Sequence, residues 1–138
     1  MKMAAPKVAH AAGKRKEAVA RATARAGRGI VRINSIALDT WGNEFARMRV
    51  QEPLFIAGPL AAEVNIDVTV FGGGWSSQAE AARLAIAKSL VAYTGSEQLR
   101  RMFLDYDRFL LVADTRRKEP RKFGTHSRAR AKRQTSYR

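Results

Sequence analysis

The last 24 residues, "TRRKEPRKFGTHSRARAKRQTSYR", concentrate one kind of chemistry. They hold Arg116, Arg117, Lys118, Arg121, Lys122, Arg128, Arg130, Lys132, Arg133 and Arg138 against a single acid, Glu119. A guanidinium offers a planar fork of donors that matches phosphate oxygens and stacks on bases, so arginine-rich segments suit folded RNA. Phe123 and Tyr137 are the only large apolar groups here. Such a segment does not offset its own ordering entropy, and it is expected to be disordered alone and ordered on a partner. A nuclear-localisation or DNA-coating tail has the same composition, and the sequence leaves those readings open.

Two further stretches carry related chemistry. In "GKRKEAVARATARAGRG", Lys14, Arg15 and Lys16 lead into a strand that shows Arg21 and Arg25, and Arg28 lies in the turn beyond. This is a fixed array able to follow a phosphate backbone. In "VTVFGGGWSSQAEAARL", Gly72, Gly73 and Gly74 join a strand to a helix, a setting in which backbone amides hold phosphate. There is no Gly-Lys-Ser/Thr ending and no GxGxxG, so a nucleoside triphosphate site is not expected. A tight structural turn fits about as well, and the three glycines tilt the reading toward a ligand's close approach. Trp75 has the ring to stack on a base, although packing at the helix start is the favoured reading.

Catalytic chemistry has little to stand on. The two histidines, His10 and His126, fall in the basic ends, so no His-centred triad or metal cluster is expected in the body. Asp105 and Asp107 fit a solvated turn better than a magnesium site. Cysteine is absent, which removes disulfides and thiol chemistry. No cofactor is implied.

The charge is divided as sharply as the motifs. The formal net charge is +14 in 138 residues. Residues 1–29 carry +7, residues 115–138 carry +9, and the middle carries −2. Solubility alone needs only about 2–8 charges in a small domain, so the excess points to a polyanion, with nucleic acid the foremost candidate. No apolar run of about 18 residues is present for a membrane span, and Lys7 interrupts any secretory-signal core. The expected organisation is a flexible segment 1–12, a globular domain 13–114 and an extended basic tail 115–138.

The elements that must position these groups follow from hydrophobic period. Ala18, Ala20, Ala22, Ala24 and Ala26 alternate with Val19, Arg21, Thr23 and Arg25, so "EAVARATARAG" is a strand despite its alanine content. "GRG" then turns the chain, and "IVRINSIAL" is expected as the second strand of that hairpin. A short helix from Asp39 or Thr40 carries Trp41, Phe45 and Met48 on one face, and Pro53 ends or restarts it. "EVNIDVTVF" is the clearest strand. A helix spans about Ser77 to Tyr93, with Ser77 and Glu80 in capping-box spacing and Ala79, Ala82, Ile86, Leu90 and Tyr93 as its apolar stripe. Ser96 caps another helix with Leu99 and Phe103, and "RFLLVAD" reads as a last strand.

Taken in order, "GKRKEAVARA" with "GRGIVRIN", "FARMRVQEPL", "DVTVFGGGWSSQAEAARLAIAKSLVAY" and "DTRRKEPRKFG" with "QTSYR" resemble the universal small-subunit ribosomal protein nine ("S nine") family over roughly Gly13 to Arg138. The triple glycine followed by Gln78, and the terminal signature, carry the specificity. The ending Ser136-Tyr137-Arg138 is similar to the archaeal and eukaryotic branch; the bacterial one ends in Ser-Lys-Arg. Two features depart from the family: its usual glycine before Gln78 is Ser77 here, and the stretch from Gly124 is one residue longer than the common Gly-rich version.

The resemblance implies a two-layer α+β fold, a mainly four-stranded sheet with helices on one face and a left-handed β-α-β crossover. This is the type of the second domain of ribosomal protein S five, here with an extended basic tail. The family implies a cytoplasmic, ribosome-bound, non-enzymatic protein in the head of the small subunit, among neighbouring head proteins. Expected contacts to ribosomal RNA are Lys14, Arg15, Lys16, Arg21, Arg28, Gly72, Gly73, Gly74, Gln78 and the tail residues from Arg116 to Arg133 named above. Gln134, Tyr137 and Arg138 would reach the transfer RNA in the peptidyl site. The alternative is an RNA-processing factor such as a ribonuclease P protein subunit. A chromatin-type DNA binder ranks third, and a phosphoryl-transfer enzyme using the glycine turn fourth.

Overall fold

A computed structural model describes residues 7–130 of the chain. Lys132, Arg133, Gln134, Tyr137 and Arg138 lie outside the described residues. Five strands, β1 (Val8–Arg15), β2 (Ala18–Ala26), β3 (Val31–Ile33), β4 (Ile36–Ala37) and β5 (Val64–Phe71), form one mixed sheet in the order β1-β2-β5-β3-β4. The helices are α1 (Glu44–Ala57), α2 (Pro59–Ala62), α3 (Trp75–Thr94) and α4 (Glu97–Tyr106). The α+β class is as expected, and the fifth strand is the two-residue β4.

The alternation in β2 decides the architecture. Ala18, Ala20, Ala22 and Ala24 are buried beneath α3, and Arg21 and Arg25 are exposed on the other face. Alanine against alanine lets the α3 backbone approach closely: residues 81–87 are all buried. β1 continues this small surface through Ala9 and Gly13, where a Cβ would fall on the Ala81 carbonyl oxygen and 2.8 Å from the Ala85 nitrogen. Among the described residues, regular structure therefore begins at Val8, within the segment 1–12 set apart in the sequence. The reason is that Ala9 and Gly13 are needed under α3, and β1 pairs with β2 along its whole length, from Val8↔Arg25 to Arg15↔Ala18.

Three other expectations change. "IVRINSIAL" does not pair with β2; β5 lies between them, antiparallel to β2 and parallel to β3. Asn65 causes this placement: its Oδ1 accepts from the Arg28 and Ile30 amides at 2.8 and 3.0 Å, drawing the "GRG" turn across the end of β5. "IVRINSIAL" folds instead as the β3–β4 hairpin, and the Asn34 side chain exchanges two hydrogen bonds with the Val70 backbone. Pro53 neither ends nor restarts a helix but sits inside α1, because Ala46, Val50, Pro53 and Ala57 form one buried stripe held on the core. The helix is capped by Asn43, whose side chain accepts from the Ala46 amide, and leaves Phe45 and Met48 exposed while Trp41 is buried.

α3 starts at Trp75 with Gly74 as its cap, so the Ser77–Glu80 capping box is not used; Glu80 is engaged elsewhere. α4 follows the sequence reading, with Ser96 accepting from the Leu99 amide and Leu99 and Phe103 buried. "RFLLVAD" is a 3₁₀ turn over Arg108–Leu110 and not a strand. Its apolar run lacks alternation, only Leu110 is fully buried, and Asp107 caps the turn by accepting from the Phe109 amide. Residues 115–130 carry no helix or strand.

The Gly13 contact gives a direct test of the helix-on-sheet seat. Gly13→Ala should lower stability by roughly 1–3 kcal/mol, the cost of overpacking. The check is a shift in denaturant midpoint at constant slope.

Candidate nucleic-acid interface

One face of the sheet is covered by α3, and the residues of the other face are exposed or half-buried. Strand alternation puts Lys14 of β1, Arg21 and Arg25 of β2 and Arg32 of β3 on that open face, with Asp67 the acid among them. Arg21 lies over the Phe71 ring, 5.7 Å from its centroid, which orients the guanidinium. His10 is on the same face, and its Nδ1 is 3.1 Å from the Thr23 hydroxyl. Arg25 and Arg32 stand outside the expected contact set; the strand period that buries Val31 and Ile33 was the signal for Arg32.

At one end of this face, Lys16 occupies the tight β1–β2 turn with φ 51°, the positive value that a two-residue hairpin requires. The glycine turn lies against it. Gly72 has φ +78°, and a Cβ there would meet the Glu17 carbonyl oxygen at 2.5 Å, so its need for glycine is structural. Gln78 donates through Nε2 to the Gly72 carbonyl oxygen at 3.0 Å and braces the turn. Gly74 has open space around it. The sequence features Lys16, Gly72–Gly74 and Gln78 thus come together in one place.

Arg15 departs from its neighbours. Alternation turns it inward, its side chain is 13% exposed, and two carboxylates occupy it. Nε is 2.7 Å from Glu80 Oε2, and Nη1 is 2.5 Å from Asp114 Oδ2. Asp114 also accepts from the Arg116 amide at 2.9 Å and from its guanidinium, and the Arg117 guanidinium donates to the Asp114 carbonyl oxygen. Arg15 therefore ties the root of the tail to β1 and α3. The run Lys14-Arg15-Lys16, uniform in the sequence, is thus split between two outward cations and one inward brace. Arg83, which no sequence motif singles out, is likewise buried between Glu52 and Asp107 at 2.5 and 3.0 Å.

Because of this tie, Arg116, Arg117 and Lys118 stand across a shallow groove from Lys16 and Glu17. Lys118, Arg121, Lys122 and Arg128 are exposed. Arg130 is paired with Glu119, and the Thr125 hydroxyl donates to the Lys122 carbonyl oxygen in a local turn. Arg28 is exposed beyond the far end of β2. Among the described residues no group of three or more His, Asp or Glu side chains is placed to hold a metal ion.

The hydrogen bond from the Arg116 side chain, helped by its backbone amide, pulls the Asp114 carboxyl from 3.8 down to about 2. A depressed carboxyl stabilises the fold above its unfolded value and loses that contribution as pH falls through its folded one. The difference in unfolding midpoint between wild type and Asp114→Asn should therefore be present at neutral pH. It should close as the pH drops from about 4 to about 2, followed by thermal denaturation.

With this geometry in view, the relatives are informative. The profile of the family described as Ribosomal protein S9/S16 matches residues 13–138. The chain is 47% identical over 133 residues to the small ribosomal subunit protein uS9 of Methanococcus vannielii, covering 96% of this chain and 99% of that one. It is 46% identical to the uS9 protein of a Methanococcus maripaludis strain, with the same coverage, and 47% identical to that of Pyrobaculum aerophilum, covering 96% and 93%. These matches run through the basic hairpin, the glycine turn and the tail together, and the chain belongs to the ribosomal protein S9/S16 family, a family of small-subunit ribosomal proteins and not of enzymes.

Proposed function

We propose that this protein binds small-subunit ribosomal RNA through the open sheet face and the tail, with its body in the head of the subunit. One observation carries the reading: Lys16 of the first hairpin and Arg116, Arg117 and Lys118 of the tail root line one groove, with Glu17 the acid among them, and Lys14 is exposed on the adjoining open sheet face. Arg21, Arg25 and Arg32 extend it along the sheet face. Arg15, Gly72 and Gln78 support this surface without belonging to it, by holding the tail root and the glycine turn in place. The body presents cations at fixed spacing, and the tail adds cations whose arrangement the RNA completes. Arg128, Lys132 and Arg133 act in the tail, and Gln134, Tyr137 and Arg138 reach the transfer RNA in the peptidyl site. No observation favours the RNA-processing alternative, since the relatives named above are ribosomal proteins.

The electrostatic mechanism sets a salt dependence. If about six to ten phosphates are neutralised, affinity for small-subunit RNA falls about a thousandfold or more between roughly 50 and 200 mM salt. Arg21→Ala and Arg25→Ala should each reduce the slope of log affinity against log salt by about one. A slope near zero in filter binding would refute the mechanism. Deleting Tyr137 and Arg138 should leave folding and assembly intact while weakening transfer-RNA retention in the peptidyl site. Undiminished retention on purified subunits carrying the deletion would refute that role for the terminus.

A further inference from the structure

Exposed apolar side chains scattered singly are ordinary, but several gathered in one groove mark a contact. Phe45 and Met48 of α1 and Trp75 and Ala79 of α3 line such a groove, with Arg49 and Glu52 also bordering it. Phe45, Met48 and Trp75 are 69%, 52% and 56% exposed, so none of them is spent on the core. The favoured expectation for Trp75, packing at the helix start, does not hold: the residue immediately following the glycine turn presents its ring to solvent.

The charges around the groove choose among occupants. Glu52, the acid that lines it, lies 2.5 Å from Arg83, and Glu80, which follows the lining residue Ala79, is held by Arg15 at 2.7 Å and by Arg49 at 2.9 Å. Both carboxylates are thereby ion-paired, and Arg49, itself one of the two cations on Glu80, keeps 52% of its side chain exposed, with donors free to meet an anion from outside. A second copy of the chain is opposed by a formal charge of +14 on each partner. Aromatic faces, a thioether and a guanidinium, with the one lining acid, Glu52, ion-paired, suit a flat π-system that carries a negative backbone. We propose that Trp75, flanked by Phe45 and Met48, is a stacking platform for an unpaired RNA base, with Arg49 meeting the adjoining phosphate. This rests on the RNA-binding reading above and adds to it a sequence-tolerant contact to a base.

The protein supplies its own reporter. Its two tryptophans are Trp41, 8% exposed, and Trp75, so Trp41→Phe leaves Trp75 as the sole tryptophan, excited selectively over the tyrosines. The full-length variant is titrated with a labelled single-stranded oligoadenylate and with an abasic oligonucleotide of equal length, following anisotropy and tryptophan emission together. Stacking predicts that oligoadenylate quenches Trp75 while the abasic chain binds without quenching. Trp75→Ala should weaken oligoadenylate binding about tenfold, by the same factor at every salt concentration, and Trp75→Phe should retain most of the affinity. If Trp41→Phe disturbs the fold, the difference in emission between wild type and Trp75→Ala provides the same readout. Binding without quenching, equal quenching by the abasic chain, or undiminished affinity of Trp75→Ala overturns the platform and points to a protein partner on the groove. Absence of binding in the anisotropy channel defeats the RNA-binding reading itself.

Discussion

Helix α3 lies so near strands β1 and β2 that Gly13 has no room for a methyl group beside the Ala81 carbonyl oxygen. The rest of the molecule is arranged around that closeness. Small residues on both surfaces, Ala18, Ala20, Ala22 and Ala24 below and Ala81, Ala82 and Ala85 above, bring two backbones together in place of large interdigitating side chains. The same helix then carries Glu80 outward to Arg15 and Arg83 to Glu52 and Asp107, and it receives α1 on another side. Because α3 occupies one face of the sheet, the other face is left to solvent and to whatever anion approaches it.

The acids of the body are used selectively. Glu52, Glu80, Asp107 and Asp114 are committed to Arg15, Arg49, Arg83 and Arg116, a lattice at the junction between body and tail. Partly buried pairs of this kind contribute little to stability in themselves, but losing one partner leaves a charge stranded in poor solvent. Their effect is geometric: Asp114 sets where the tail leaves the body, and Lys14, Lys16, Arg21 and Arg25 keep their charges unspent.

Elements with a strong local period were legible in the sequence. The alanine-arginine alternation of β2 overrode helix propensity correctly, β5 is the strand its valines announce, and Ser96 caps α4 as its position implies. What escaped depended on partners distant in the chain. The partner exchange between β2, β3 and β5 turns on Asn65, some 35 residues from the turn it pins. The continuity of α1 through Pro53 comes from burial, and the end of the apparent last strand comes from Asp107 capping a turn. At the interface the residue types were legible, while their division between outward cations and inward braces was not. That division needs the strand's inward or outward phase and the location of carboxylates in other elements.

The run Lys14-Arg15-Lys16 shows what this division means for the way such a chain drifts. Its outer two members face water, and either cation satisfies a phosphate met as a point charge, so lysine and arginine interchange freely there. The middle member spans two separate carboxylates on different elements, a task for a rigid fork and not for a flexible ammonium. Three adjacent residues of like charge consequently serve two unrelated purposes, and replacing the block as a unit would merge a lost ligand contact with a displaced arm.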